Sequence, residues 1–195
     1  MSRIKALDQD VFWWINSHHS TFLDWFLWTF SQSWSWFIVV ILFYVALTLR
    51  KDIKSWLWIL VGLGLCILLA DQISSNVIKD GIQRLRPCHE FEGVRMFHTG
   101  KGGLYGFVSS HAANAFAIAM FISLMYGKKQ DGKRHPMIPI LIFGWAIIVA
   151  YSRPYLGKHY PGDVICGALL GLGIGALVYF AICKIRLKIS SRSSA

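Results

Sequence analysis

Charge is what this 195-residue sequence has least of: Asp, Glu, Lys and Arg make up 15% of it, against a hydrophobic share of 55%. That balance excludes an ordinary water-soluble surface, since soluble domains carry about 25% charged residues. Acidic side chains are the scarcer kind, 10 against 20 Lys and Arg, which leaves a net charge of +10. A basic excess serves nucleic acid only when the cations form one soluble face. Here they fall in short loops and helix ends, so no nucleic-acid partner is expected and anionic lipid is the simpler one. Cysteine is also sparse. Cys66, Cys88, Cys166 and Cys183 lack metal-like spacing and three of them sit in apolar runs, so they read as core residues. No basic leader with a small-residue cleavage site precedes the first apolar run, and no removable signal peptide is expected. Internal repeats and low-complexity segments are absent as well. The chain reads as one domain over residues 1–195, with a basic cytoplasmic tail from 184 to 195 whose Ser-rich end, 190 to 195, is expected to be disordered.

What the sequence does have is long uncharged runs. Trp25 to Leu49, Ser55 to Ala70, Gly102 to Gly127, Met137 to Ser152 and Val164 to Cys183 carry no Asp, Glu, Lys or Arg. With a few flanking residues each reaches the roughly 17 to 25 residues a bilayer demands. The expected fold class is therefore all-α, a polytopic membrane bundle of five helices. A sixth span is possible in residues 1–24, but Phe12, Trp13, Trp14 and Phe22 mixed with Asp10, His18, His19 and Asp24 suit an interfacial helix better. Arg50, Lys51 and Lys54, then Lys128, Lys129, Lys133 and Arg134, then Lys184, Arg186, Lys188 and Arg192 all fall on one side, which predicts that side to be cytoplasmic. On the last helix Gly167, Gly171 and Gly175 recur every four residues, a spacing that lets a neighbouring helix come close.

Three polar segments converge on the opposite face. In Lys79 to Pro87 two cations, Lys79 and Arg86, stand seven residues apart and share one face of a helix that Pro87 ends. A lysine and a forked guanidinium suit phosphate oxygens, although a basic helix end snorkelling toward headgroups accounts for the same pattern. In Phe107 to His111, Ser109 is placed as the N-cap of the third span. Its neighbouring N–H groups form either a plain cap or a phosphate seat, and His111 is either structural or a proton donor. In Ser152 to Asp163, Pro161 suits the first position of the last helix, which leaves His159 just before it and Asp163 in its first turn. An imidazole there can attack phosphorus with one nitrogen while the carboxylate orients the other, and Arg153 supplies a third cation. The alternative is a loop histidine and an aspartate that complements the helix dipole.

Together these segments resemble the type 2 phosphatidic acid phosphatase (PAP2) superfamily, whose pattern is K-x6-R-P, then P-S-G-H, then S-R-x5-H-x3-D. Lys79, Arg86 and Pro87 match the first motif in full, and Ser152, Arg153, His159 and Asp163 the third. At ~5% per residue type the third motif alone arises by chance on the order of once in a thousand chains of this length. The middle motif departs: Pro-Ser-Gly-His has become Val108-Ser109-Ser110-His111. If the family turn needs a glycine conformation, Ser110 would strain it by ~1 to 2 kcal/mol.

The resemblance implies a metal-independent lipid phosphatase without cofactor. Its cradle for the phosphoryl group would be Lys79, Arg86, Arg153, Ser109 and Ser110, with His159 as nucleophile forming a phosphohistidine, His111 as acid and then base, and Asp163 stabilising the imidazolium. It implies a bacterial inner-membrane protein with its site on the periplasmic face. The small chain with little soluble appendage points to undecaprenyl pyrophosphate as substrate, with lipid A or phosphatidylglycerol phosphate as alternatives. Two other classes remain open: a metal-dependent hydrolase using His111, His159, Asp163 and outer-loop side chains such as His89, Glu90, Glu92 and His98, and a non-catalytic phospholipid binder. Asp71, with Ser74, Ser75 and Asn76, lies within the bilayer and lines a polar cleft or bonds a neighbouring helix.

Overall fold

The computed structural model describes residues 3–48, 53–126 and 137–193, all of them helical or in connecting loops. Arg50, Lys51 and the four cations between Lys128 and Arg134, which carry much of the predicted orientation, lie outside the described residues. The elements run α1 (Arg3–Ser17), α2 (Thr21–Ser31), α3 (Ser33–Thr48), α4 (Ile53–Gln72), a π-helical turn (Ile73–Ile78), α5 (Lys79–Ile82), α6 (Pro87–Glu90), α7 (Ser110–Tyr126), α8 (Met137–Tyr155) and α9 (Pro161–Ser193). Among the described residues three helical stretches are long and apolar enough to cross a membrane: Trp56–Ile82, Met137–Tyr155 and Pro161–Ser191. A fourth is the pair α2 and α3 taken as one span. This is an integral membrane protein of several apolar helices.

α7 is the innermost helix, packed against α9, α8 and α4. It is apolar all round and its buried positions include Ala112, Ala113, Ala115, Ala117 and Ala119, small residues that let the surrounding helices close in. The four-residue glycine spacing on α9 meets it: a Cβ at Gly171 would stand 2.2 Å from the Ala113 carbonyl oxygen, and one at Gly175 2.4 Å from that of Ala117. Outward, Phe37, Leu42, Leu57, Leu169, Leu177 and Phe180 are exposed, a surface suited only to hydrocarbon.

Several expected boundaries are corrected. The first run is not one straight span: α2 and α3 meet at a bend of 70°. Gln32 leaves the helix with an extended ψ of 140°, and the Ser35 hydroxyl donates to its carbonyl at 2.7 Å, so side chains compete with the backbone ladder there. The second run continues well past Ala70, through a π-turn built from the Ser-Ser-Asn stretch, to Ile82. The helix then stops. Gln83 adopts a left-handed φ of 52°, so Lys79 and Arg86 do not share a helix face as their spacing suggested. The third run is helical only from Ser110; residues 102–109 form a loop, because a lack of charge does not by itself make a helix and Gly102, Gly103 and Gly106 favour turns. α8 extends to Tyr155, which keeps Arg153 within the helix. The Ser-rich end, expected to be disordered, stays helical to Ser193.

α1 has only 15 residues, about 22 Å, short of the ~30 Å hydrocarbon core. It presents Ile4, Leu7 and Trp14 outward and buries Gln9, Phe12, Ile15 and Asn16, which suits a helix lying along the interface.

Candidate active site

The polar segments meet at one end of a cavity of about 970 Å³. Lys79, Arg86, Ser110, His111, Arg153 and His159 line that end, with Asp71 beside them. The rest is apolar, walled by Trp36, Phe37, Val40 and Ile41 of α3 and by Leu60, Leu63 and Ile67 of α4. A charged head on a hydrocarbon groove is the shape of an amphiphile.

Arg86 arrives there by a route the helix spacing did not reveal. An isolated antiparallel bridge pairs Leu85 with Tyr105, the Arg86 N–H donates to the Leu104 carbonyl at 3.1 Å, and its Nε donates to the Tyr105 carbonyl at 3.0 Å. The 102–106 loop thus wraps the guanidinium. Gly106 closes it with little room to spare, since a Cβ would stand 3.1 Å from both Arg86 Cγ and Asp163 Oδ2 and 3.5 Å from His159 Nδ1.

His159 follows α8 in a short buried turn, where the Lys158 N–H donates to the Arg153 carbonyl at 2.9 Å. Its Nδ1 faces Asp163 Oδ2 at 3.7 Å, close enough for charge attraction and looser than a hydrogen bond. Among the described residues no group completes a well-formed hydrogen bond to that nitrogen, and the Gly106 backbone lies beside the ring. Burial pushes the imidazole well below its usual pKa, and the positive charges of Arg153, Arg86 and Lys79 push it further. His159 is therefore neutral, the form in which an imidazole is nucleophilic. Asp163 is fully buried behind it, accepting the Tyr160 N–H at 3.0 Å and the Arg84 Nη1 at 2.8 Å.

Ser109 and Ser110 take different places. Ser109 is fully buried: its N–H donates to the Asp163 carbonyl at 3.0 Å and its hydroxyl caps the Ala112 N–H at 3.5 Å. Ser110 opens α7 with a hydroxyl that accepts from Lys79 Nζ and from the Ser74 hydroxyl. Among the described residues only Gln83 and His98 are non-glycine residues with positive φ, so Ser110 does not carry the left-handed strain its place in the motif suggested. His111 stands edge-on to Trp36, ring centres 5.2 Å apart. Arg153 donates from Nη1 to the Ser31 hydroxyl at 3.1 Å and keeps a buried Nε without a partner.

No three His, Cys, Asp or Glu side chains come together as a metal-holding group among the described residues. Of the outer-loop candidates, Glu90 is taken by Lys5 at 3.1 Å and by the Tyr160 hydroxyl at 2.6 Å, and His89 Nε2 lies 3.3 Å from the Gly102 carbonyl oxygen.

The PAP2 superfamily pattern matches residues 55–185, two thirds of the sequence and every motif residue just placed. The chain belongs to the PAP2 superfamily. It is a lipid phosphate phosphatase of that superfamily, and two relatives match it nearly from end to end. The lipid A 4'-phosphatase of Porphyromonas gingivalis is 32% identical over 182 residues, covering 92% of this chain and 74% of that protein. The lipid A 4'-phosphatase of Bacteroides thetaiotaomicron is 31% identical over 192 residues, covering 96% and 82%. In fold, this PAP2 chain resembles the crystal structure of a transmembrane PAP2 type phosphatidylglycerolphosphate phosphatase from Bacillus subtilis, with a TM-score of 0.68 at 21% identity over 97% of this chain and 89% of that one.

Sequence reasoning passed over several residues that touch or adjoin the motif residues. Arg84 was hidden between the motif cations Lys79 and Arg86, although a third cation in an eight-residue stretch was itself a signal. Asp8 and Ser31 belong to helices outside the motifs, and nothing local marks them. Lys158 precedes His159 and is 5% exposed; burial first, then repulsion from Arg153 and Arg86, pushes its ammonium down to about 8, with Cys88 opposing.

Proposed function

We propose that this enzyme removes a phosphate from a lipid A-type glycolipid through a phosphohistidine at His159, without a metal ion. The observation that carries the chemistry is the placement of neutral His159 at the head of an apolar cavity, with Lys79, Arg86 and Arg153 converging on it and Asp163 behind. With Nδ1 turned toward Asp163, Nε2 is the nitrogen left to attack phosphorus. A bond forms from Nε2 to phosphorus and the bond from phosphorus to the lipid oxygen breaks. His111 donates its proton to that oxygen, while the cations take up charge on the equatorial phosphoryl oxygens. Asp163 stabilises the imidazolium. Water then attacks phosphorus, His111 takes its proton, and the P–N bond breaks to release phosphate and restore His159.

The two lipid A 4'-phosphatase relatives favour lipid A over undecaprenyl pyrophosphate, which the small chain size had suggested. In the topology we infer, α7 is a further span at the centre of the bundle, giving five. The active centre faces the periplasm of a bacterial inner membrane, opposite Lys184, Arg186 and Lys188 at the far end of α9.

Release of inorganic phosphate from lipid A, phosphatidylglycerol phosphate and undecaprenyl pyrophosphate in detergent micelles tests both parts. Lipid A is expected to have the highest kcat/KM. His159→Ala is expected to lose on the order of 10⁴-fold or more of it. Normal turnover by that variant refutes the covalent mechanism, and preference for the pyrophosphate refutes the substrate assignment.

A further inference from the structure

The first turn of α9 is held by two carboxylates instead of one. Asp163 contributes its own, and Asp8 reaches in from α1, 155 positions earlier in the chain. Asp8 Oδ1 accepts the Gly162 N–H at 2.7 Å, and Asp8 Oδ2 accepts Arg84 Nη2 at 2.7 Å. The other arm of the same guanidinium, Nη1, donates to Asp163 Oδ1 at 2.8 Å. Arg84 also lies over the Tyr160 ring, 4.1 Å from its centre. Gly162 permits the approach, since a Cβ there would stand 2.9 Å from Asp8 Oδ2. A continuous chain of contacts therefore runs from Asp8 through Arg84 and Asp163 to His159. Its first member lies outside residues 55–185, the part that carries the superfamily pattern.

We propose that Asp8 is a positioning residue for the nucleophile: it shares Arg84 with Asp163, so that Asp163 keeps both the charge and the orientation needed to face His159 Nδ1. This rests on the role proposed above for His159. The physical reason is competition for one guanidinium. With Asp8 present, each arm of Arg84 serves a different carboxylate. Without the Asp8 charge, Arg84 is free to turn its whole fork onto Asp163, and bidentate pairing would neutralise Asp163 and draw it away from the imidazole. Asp163 then stabilises the imidazolium less, and the transition state that forms it is reached more slowly. Because the change lies behind the nucleophile and away from the cavity, it acts on kcat and leaves KM alone.

The sign of the pH effect follows from the charges around the pair. His159 is faced by Asp163 of α9, Arg153 of α8, Arg86 just before α6, Lys79 of α5 and His111 of α7. Asp8 is faced by Arg84 and Cys166, with Lys5 and Glu90 paired to each other nearby. Among the described residues Asp163 is the carboxylate paired with the imidazole, so weakening it lowers the affinity of His159 for a proton. The acid limb of kcat/KM then moves to lower pH.

The experiment compares Asp8→Asn, Asp8→Glu and Asn16→Ala with the wild type, recording melting temperature, kcat, KM and the pH profile on the same lipid. Asn16 anchors the other end of α1, donating to the carbonyls of Arg95 and Tyr155 at 2.9 Å each, so its variant loosens α1 without touching Arg84. Asp8→Asn is expected to lower kcat about tenfold with KM within about twofold, and to move the acid limb to lower pH. Asp8→Glu restores most of the rate, and Asn16→Ala loses stability without a shift of the profile. The proposal is overturned if the Asp8→Asn profile superimposes on the wild type, or if Asn16→Ala reproduces its loss and its shift. Failure of this chain is separable from failure of the covalent mechanism, because His159→Ala is inactive in the first case and active in the second.

Discussion

Arg153 Nη1 and the Ser31 hydroxyl are joined at 3.1 Å across 122 residues of sequence, and that bond ties the bend between α2 and α3 to the polar end of the cavity. Both residues are buried, and the Nε of the same guanidinium has no partner among the described residues.

Removing the bond should loosen the cation proposed to meet the phosphoryl group. Ser31→Ala is expected to weaken competitive inhibition by orthophosphate or vanadate by about three- to tenfold, the value of one ordinary hydrogen bond, with the melting temperature little changed. An inhibition constant equal to that of the wild type would show that Ser31 does not position Arg153.

Acid should reveal the depressed His159 in two ways. Burial and the nearby cations hold the folded-state pKa well below the usual 6.5. Unfolded chains therefore bind more protons than folded ones between the depressed value and 6.5, so stability rises with pH through that window and is lower at pH 5 than at pH 7. Thermal unfolding in detergent across pH 4 to 8 is expected to show this slope, and His159→Gln is expected to reduce it. The same depression keeps the nucleophile neutral below pH 6.5, so a kcat/KM profile with its acid limb at or above the ordinary histidine value would contradict the environment described.

The small-residue contact between α9 and α7 makes a stability prediction. Gly171→Leu must push a side chain into the Ala113 carbonyl, and it is expected to cost at least the ~1 to 3 kcal/mol of an overpacked core, read as a lower melting temperature. Gly173 lies on the same helix with nothing within 4 Å of a Cβ, so Gly173→Leu is expected to melt like the wild type.

Excess EDTA is expected to leave phosphate release intact, because two of the acids that could hold a divalent ion are committed elsewhere: Glu90 to Lys5 and Tyr160, and Asp163 to Arg84 and the Tyr160 N–H. Loss of activity that is restored by one divalent metal would replace the histidine mechanism with a metal-assisted one.

The sequence by itself determined the membrane class, the approximate position of every apolar run, the close approach of α9 through Gly167, Gly171 and Gly175, and most of the polar residues that line the cavity. It could do so because hydrophobic length and fixed motif spacing are local properties, readable without a third dimension. The bend at Gln32, the end of the helix at Ile82 and the start of α7 at Ser110 were not legible, since uncharged loops and uncharged helices look alike in composition. Tertiary structure alone decided how Arg86 reaches the cavity, through the Leu85 and Tyr105 bridge, and which partners stand behind the motif residues. Asp8 with Arg84 and Ser31 with Arg153 are pairs distant in sequence whose meaning comes only from contact. A buried charge must find a partner wherever the packing brings one, and no spacing rule records where that is.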